Sequence, residues 1–273
     1  FELAWRFVLG KKRAMTMSLF GIVLGIAFFV ITQAQTSGFG AFFIRTILGT
    51  NGAIRISDRF QDMHGTVRSS SKDGKTSFFF HSKEGALYTE GIENPKLLKN
   101  ALGQFTEISG ISEILEGNAI LNGISRSQTV QIHGIVPSNH IMVSDLEKQI
   151  IRGELSAFEL DPMTILIGNR VAQRLMLQVG DRVNIQGRTG NLQLRIAGFF
   201  ETGVSQIDKN RVYIHLSTAK AFIGKRFSGS IFQLSMFDPS KAPEIAAQIQ
   251  ETTGHRTVSW QEREQVWLDV FKA

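Results

Sequence analysis

Residues Ala14 to Thr32 read AMTMSLFGIVLGIAFFVIT, and no charged side chain occurs from Ala14 to Ile44. About 20 apolar residues, rising 1.5 Å each, cross the ~30 Å hydrocarbon layer of a bilayer. No water satisfies backbone polar groups at that depth, so such a segment must be helical. A buried core helix would be shorter or would show a polar face. A signal peptide carries an apolar stretch of only about 7–15 residues, although the small residues around Ala34 imitate a cleavage site. The expectation is a transmembrane helix, with its outer extension, over residues 14–45.

Charge sets its direction. Lys11, Lys12 and Arg13 directly precede the apolar run, and no Asp or Glu follows it until Asp58. Basic residues stay on the cytoplasmic side, which places the N-terminus inside and residues from 46 onward outside. Residues 1–13 read as an interfacial helix, with Trp5 at headgroup level and Arg6, Lys11, Lys12 and Arg13 as a cytoplasmic anchor facing lipid phosphates. Gly21 and Gly25 are a small-xxx-small pair that lets a neighbouring helix approach closely. Phe28, Phe29, Phe39, Phe42, Phe43 and Leu48 are candidate contacts for lipid or an acylated cargo. Simple anchoring of the helix in lipid explains the same aromatics.

The net charge of +6 and pI near 9.7 raise nucleic-acid binding. Much of the excess is local, since Arg6, Lys11, Lys12, Arg13 and Arg45 face only Glu2 within residues 1–45. The remainder mixes both signs and shows no basic stripe, which excludes a nucleic-acid partner. The absence of cysteine removes disulfides, thiolate metal sites and cysteine nucleophiles. A chain 42% hydrophobic has ample material for a core.

Beyond the span, two segments repeat one pattern. Ala53-Ile54-Arg55-Ile56 predicts a strand. Asn94-Pro95 then caps a helix with Leu98, Ala101, Leu102 and Phe105 inward, and a strand follows at 111–115. Likewise Ile231 to Met236 predicts a strand, Asp238-Pro239 caps a helix bearing Ala242, Ile245, Ala246 and Ile249, and a strand follows at 256–259. Two β-α-β units are the ingredients of a ferredoxin-like α/β sandwich, unless the Asx-Pro pairs recur by chance. Between them, short alternating strands at 130–134, 164–168, 182–186, 192–199 and 212–216, with one short helix at 169–177, predict a mostly β insertion. Residues 58–90 are polar and read as a long surface excursion, and Phe78-Phe79-Phe80 inside it reads as a buried strand or else as a binding patch. Ser259-Trp260-Gln261-Glu262 fits a capping box. Val266, Trp267, Val270 and Phe271 then share a helical face. The chain opens on Phe1, as a piece of a longer protein would, and a second span is expected after Ala273.

Several stretches together carry a family resemblance: Ser37-Gly38-Phe39, Ile47-Leu48-Gly49, Ala53-Ile54-Arg55-Ile56, His133-Gly134-Ile135-Val136-Pro137, Ile151-Arg152-Gly153-Glu154-Leu155, Ile165 to Ala172, Leu177 to Val183, Gly198 to Gly203 and Val258-Ser259-Trp260. In their order and spacing they resemble the permease subunits of the MacB/LolC/LolE/FtsX superfamily of ABC transporters, the LolC/LolE branch most. The resemblance implies an α+β fold in which an N-terminal transmembrane helix precedes a ferredoxin-like Porter domain interrupted by a mostly β Sabre insertion. The corresponding boundaries are 46–128 and 229–260 for the Porter part, 129–228 for the Sabre part, and 261–273 for a helix leading to the second span. It also implies a bacterial inner-membrane location, a dimer of ABC ATPase subunits and a second permease subunit, alike or different, as partners. The work implied is release or export of lipoproteins or other amphipathic cargo. The same superfamily includes drug or peptide efflux and mechanical activation of cell-wall hydrolases. One departure stands out. LolC carries a long hook that recruits a carrier protein, whereas here Gly187-Arg188-Thr189-Gly190 predicts a tight hairpin.

No enzymatic activity is expected of the chain itself. A Walker A pattern is missing, and Gly224-Lys225 lacks both the upstream glycine and the hydroxyl residue. The six histidines show no metal-ligand spacing and read as ordinary surface or strand residues; His133 and His140 are seven apart across a Gly-Pro-containing turn. Ser37, Ser205 and Ser259 lack a nucleophile-elbow context. Glu154, Glu159 and Asp161 cluster in what reads as a solvated loop. No cofactor is expected. A single-pass anchored binding domain unrelated to transport is the alternative from another functional class.

Overall fold

The structure is a computed structural model that describes residues 12–59, 68–72, 75–79, 92, 94–123, 126–188, 190–224 and 231–272. The chain forms two compact units, residues 1–45 with 265–273, and residues 46–264.

Helix α1 runs from Lys12 to Asn51. Its side chains from Met17 to Ile31 are exposed around the whole circumference, with Phe28 and Phe29 about 70% accessible (71% and 69%). An apolar surface that none of the described residues covers is what a bilayer accommodates. The hydroxyls of Thr16, Thr32 and Thr36 donate back to the carbonyls of Arg13, Phe28 and Thr32 at 2.9–3.0 Å, so these polar groups are satisfied within the helix. In the same unit the ring of Phe43 meets that of Trp267, on α11 (Gln265–Lys272), with centroids 5.6 Å apart.

The second unit is organised by one strand. β4 (Ile108–Asn122) is long enough to serve two neighbourhoods. Its first half pairs with β11 (Ile231–Met236), which pairs with β1 (Ile54–Arg59) and, through it, β12 (His255–Ser259), all antiparallel. Helices α2 (Pro95–Leu102) and α9 (Ala242–Thr253) pack on these strands. They bury Leu98 and Leu102, and Ala242, Ile245, Ala246 and Ile249, the i, i+3, i+4, i+7 face expected of amphipathic helices. The second half of β4 pairs with β5 (Ser127–Ile135). From there the order continues through β10 (Arg211–His215), β7 (Thr164–Gly168) and β9 (Asn191–Phe200), with β6 (Ile150–Gly153) at the edge. β8 (Arg182–Gln186) pairs with both β9 and the end of β4, so β4, β5, β10, β7, β9 and β8 close into a ring. Closure leaves no open edge between these strands.

The ring is filled by Leu121, Val130, Ile132, Ile165, Ile167, Val183, Ile185, Leu194, Ile196 and Val212, with side chains from α6 (Asn169–Leu175) and α8 (Leu216–Ile223). Helix α8 lies against β4 and β5 because glycine is there; a Cβ on Gly134 would run into Ala219.

Some local expectations need correction. The Asn94 side chain makes no cap hydrogen bond, although Pro95 does open α2. Asp238 does cap, accepting from Ser240 N, but it heads a 3-10 turn that precedes α9. Ser259 Oγ accepts from Glu262 N at 3.2 Å, and the helix it starts, α10 (Trp260–Arg263), is separate from α11. Residues 155–160 form a short helix, α5, rather than a loop, because Phe158 is drawn into the core while Glu154, Glu159 and Asp161 stay exposed. Within the polar excursion, β2 (Arg68–Lys72) and β3 (Lys75–Phe79) form a hairpin; Phe80 and most of the excursion lie outside the described residues.

Candidate functional site

Among the described residues, chemistry-bearing side chains converge at the carboxyl end of α1, within the second unit. Thr50 is buried, and Gln149, at the end of α4 (Leu146–Gln149), donates to its hydroxyl at 3.2 Å. Asp145 N donates to Gly49 O at 2.6 Å, and a Cβ on Gly49 would collide with the Asp145 carboxylate. The helix stops at Gly52, whose φ of +66° suits glycine and whose missing Cβ would stand 2.7 Å from Leu234 O. The chain then enters β1, with Ala53 N donating to Leu234 O at 2.7 Å. Arg263 Nη2, from α10, donates to Gly52 O at 3.3 Å.

Beneath this root, one face of the sheet carries a polar row. Register sets it: Arg55 lies opposite Gln233, Gln233 opposite Ser112, Glu116 opposite His133, and His133 opposite Tyr213. Ser112 and Glu116 are four apart on β4 and share a face. Arg55 Nη2 bonds Glu116 Oε2 at 2.7 Å. Arg211 Nη1 donates to Tyr213 Oη at 3.3 Å, and its Nη2 donates to Asn51 Oδ1, on the last residue of α1, at 3.1 Å. Ser112 Oγ and His140 Nδ1, from α3 (Pro137–His140), are 3.0 Å apart.

Both histidines are buried; His133 is a strand residue as expected, on β5, whereas His140 lies on α3, neither surface nor strand, and both rings lie against Tyr213, at 5.8 and 5.5 Å. Burial pushes the His133 imidazole well below its usual pKa, with Arg211, His140 and Arg55 adding repulsion. Burial first and Arg211 second lower His140 to about 3. Each is therefore neutral near pH 7. The 3.7 Å separation of His133 Nε2 from Glu116 Oε1 is too long for a hydrogen bond, and a neutral ring makes no ion pair of it. Among the described residues neither nitrogen of His133 has a hydrogen-bond partner, nor does Arg211 Nε.

Such an arrangement holds a helix in place. Among the described residues no three His, Asp or Glu side chains gather as metal ligands. An open depression of about 480 Å³ elsewhere, lined by Met163, Asn191, Leu192, Ser217, Ala221 and Phe222, contains no titratable side chain.

Among the described residues expected to act, Leu48 belongs to this root. Trp5, Arg6 and Lys11 fall outside the described residues, as does the side chain of Lys12, while Arg13 is exposed. An added Cβ on Gly21 or Gly25 would meet nothing within 4 Å. Phe28, Phe29, Phe39 and Phe42 are exposed, Phe43 meets Trp267, and Leu48 is half-buried in the root. The hairpin is tight, with Gly187 N donating to Gly190 O at 2.9 Å.

Residues 15–252 match the family model of the MacB-like periplasmic core domain. The chain belongs to that family. LolC, the lipoprotein-releasing system transmembrane protein of Xylella fastidiosa (strain Temecula1), is 24% identical over 243 residues, covering 85% of this chain and 51% of LolC. LolC of Neisseria meningitidis serogroup B is 24% identical over 172 residues, 57% of this chain and 41% of that protein. The chain thus spans about half the length of the relatives it matches. The periplasmic region of MacB from Actinobacillus actinomycetemcomitans superposes with a TM-score of 0.52 at 13% identity, covering 83% of this chain and 96% of MacB's region, a likeness of fold. A MacB-like periplasmic core domain behind a helix long and apolar enough to cross a membrane describes a membrane protein with an extracytoplasmic α+β domain.

Proposed function

We propose that this chain is the first span and the outer domain of a permease subunit of an ATP-driven ABC transporter in the bacterial inner membrane. The observation that carries the reading is the family match itself, which begins inside the apolar helix and continues through the folded unit to residue 252. Helix and domain are thereby one inherited pattern, as in a permease whose outer domain follows its first span. The N-terminus is cytoplasmic, anchored by Trp5, Arg6, Lys11, Lys12 and Arg13. Gly21 and Gly25 face a neighbouring helix, and Phe28, Phe29, Phe39, Phe42, Phe43 and Leu48 meet lipid or acyl chains.

In this reading β1, α2, β4, β11, α9 and β12, in the sheet order β12-β1-β11-β4, form the ferredoxin-like Porter part, residues 46–128 and 229–260. The Sabre insertion is residues 129–228. ATP binding and hydrolysis belong to a pair of separate ATPase subunits, and a second permease subunit completes the membrane portion. The cargo is a lipoprotein or another amphipathic molecule, in keeping with the LolC relatives. The short hairpin at 187–190 makes carrier recruitment through a hook no part of this chain's work.

Depletion of the full-length protein, followed by separation of inner and outer membranes, tests this. Lipoproteins should accumulate in the inner membrane. Normal lipoprotein sorting together with a cell-wall or division defect would overturn the transport reading and point to mechanical signalling across the membrane.

A further inference from the structure

Arg211 is a buried guanidinium without an acid. It is 9% exposed, and its hydrogen-bond partners are a phenol and an amide, Tyr213 and Asn51. The nearby imidazoles of His133 and His140 are neutral, and Glu116 is engaged by Arg55 at 2.7 Å. Among the described residues no carboxylate lies within ion-pair distance of Arg211. A buried cation left in that state is strongly unfavourable. Its Nη2 bonds the Asn51 side chain, at the end of α1. The last carbonyls of a helix carry about half a negative charge between them, and Asn51 is the last residue of this one. Arg211 and the helix end therefore stabilise each other only while they stay together.

The other ties on the helix root run elsewhere. Gly49 and Thr50 are held by Asp145 and Gln149, in the connection between β5 and β6, and Gly52 is held by Arg263. Among the described residues, the Arg211–Asn51 bond is the one hydrogen bond joining residues 46–51 to a strand of the closed ring. We propose that Arg211 is the positioning residue through which the carboxyl end of α1 is held to the six-stranded ring. Should α1 carry ATP-driven movement, a point that rests on the function proposed above, Asn51–Arg211 is the contact that hands the movement to the ring.

The test uses pairs of variants with opposite expected signs in the full-length protein, reconstituted in phosphatidylethanolamine–phosphatidylglycerol nanodiscs. Amide exchange of residues 46–52 should quicken at least tenfold in Arg211→Met, which removes the charge. It should slow at least threefold in Asn51→Asp, which sets a carboxylate against the guanidinium, and Arg211→Lys should fall between Arg211→Met and the unaltered protein. Exchange in β9 is the control and should stay within twofold. Unchanged exchange at the root in Arg211→Met overturns the proposal. If Arg211→Met loosens the whole ring, Asn51→Asp decides alone, and faster or unchanged exchange there overturns it. In the transporter isolated through a tag on this chain, Arg211→Met and Asn51→Asp should each lower ATP turnover at least threefold, although one loosens and the other tightens. Wild-type turnover in Asn51→Asp would make the contact a structural tie and remove the positioning role. No ATPase activity in the unaltered assembly would sink the transport reading instead, while the exchange results judge Arg211 separately.

Discussion

Arg55 reaches across the intervening strand β11 to bond Glu116 on β4, Nη2 to Oε2 at 2.7 Å, with both side chains partly buried. The pair ties the first strand after the helix to the strand shared by both halves of the sheet. Arg55→Met leaves Glu116 half-buried without its partner and should lower stability by about 1–3 kcal/mol. Glu116→Gln should lower it less, since the amide still accepts. A double-mutant cycle in urea should give a coupling of about 1 kcal/mol; additive losses would mean that the pair does not act as a unit.

Stability should fall with acid through the two buried histidines. An unfolded imidazole takes up a proton near pH 6.5, whereas folded His140 does so only at about 3 and folded His133 well below the usual value. The unfolded state therefore binds more protons below pH 6.5. Stability is full above that pH, declines as pH falls through it, and keeps declining until the folded groups titrate, by about 1.4 kcal/mol per pH unit for each histidine. Urea midpoints at pH 7.5, 6 and 5 read this slope. His140→Asn should remove one histidine's share of it; an unaltered slope would contradict the assignment.

How far this site was legible differs from residue to residue. Strands 164–168, 182–186 and 231–236 were readable because each alternates in its own burial or is bounded by Gly, Asp or Pro. The apolar pattern that marks β4 in the sequence covers residues 111–115, a third of the strand's length. Glu116, Gly117 and Asn118 interrupt its apolar pattern, because this stretch serves two partner sets and part of it faces the polar row. In the sequence Arg211 merely precedes the strand expected at 212–216, and His133 lies within the one expected at 130–134. Their meeting with Asn51 and Glu116 depends on strand register across long sequence separations, and no local spacing encodes that. Residues 155–160 are too short for a helical period to show. The apolar run of α1, by contrast, needs no partner to be read, since its length and lack of charge are intrinsic to it.

The turn at the helix root should tolerate no side chain. Gly52→Ala meets both a positive φ and the Leu234 carbonyl and should cost about 2–3 kcal/mol. Gly49→Ala displaces the Asp145 carboxylate, which is mobile enough to reduce the cost to about 1–2 kcal/mol. Chemical denaturation of each variant checks the order, and a Gly52→Ala variant as stable as the parent would contradict the geometry.

Met176 ends α6 in the left-handed region, φ 54°, with its side chain exposed. Non-glycine residues pay about 1–2 kcal/mol there, more than the backbone entropy a glycine adds. Met176→Gly should therefore raise stability by about 0.5–1 kcal/mol in thermal or urea unfolding, and a loss would show that Met176 makes contacts of its own.

The central claim, a bilayer-spanning helix with the folded unit outside the cytosol, is open to one direct measurement. These 273 residues contain no cysteine, so a cysteine placed among them is their one thiol. Leu160→Cys, at a position 84% exposed in the folded unit, and Arg13→Cys, just before the apolar run, would be treated in intact spheroplasts with a membrane-impermeant maleimide. Labelling of the cysteine at 160 with protection of that at 13 until lysis is the predicted result. Protection at 160 with labelling at 13, or recovery of the protein free of the membrane, would contradict it.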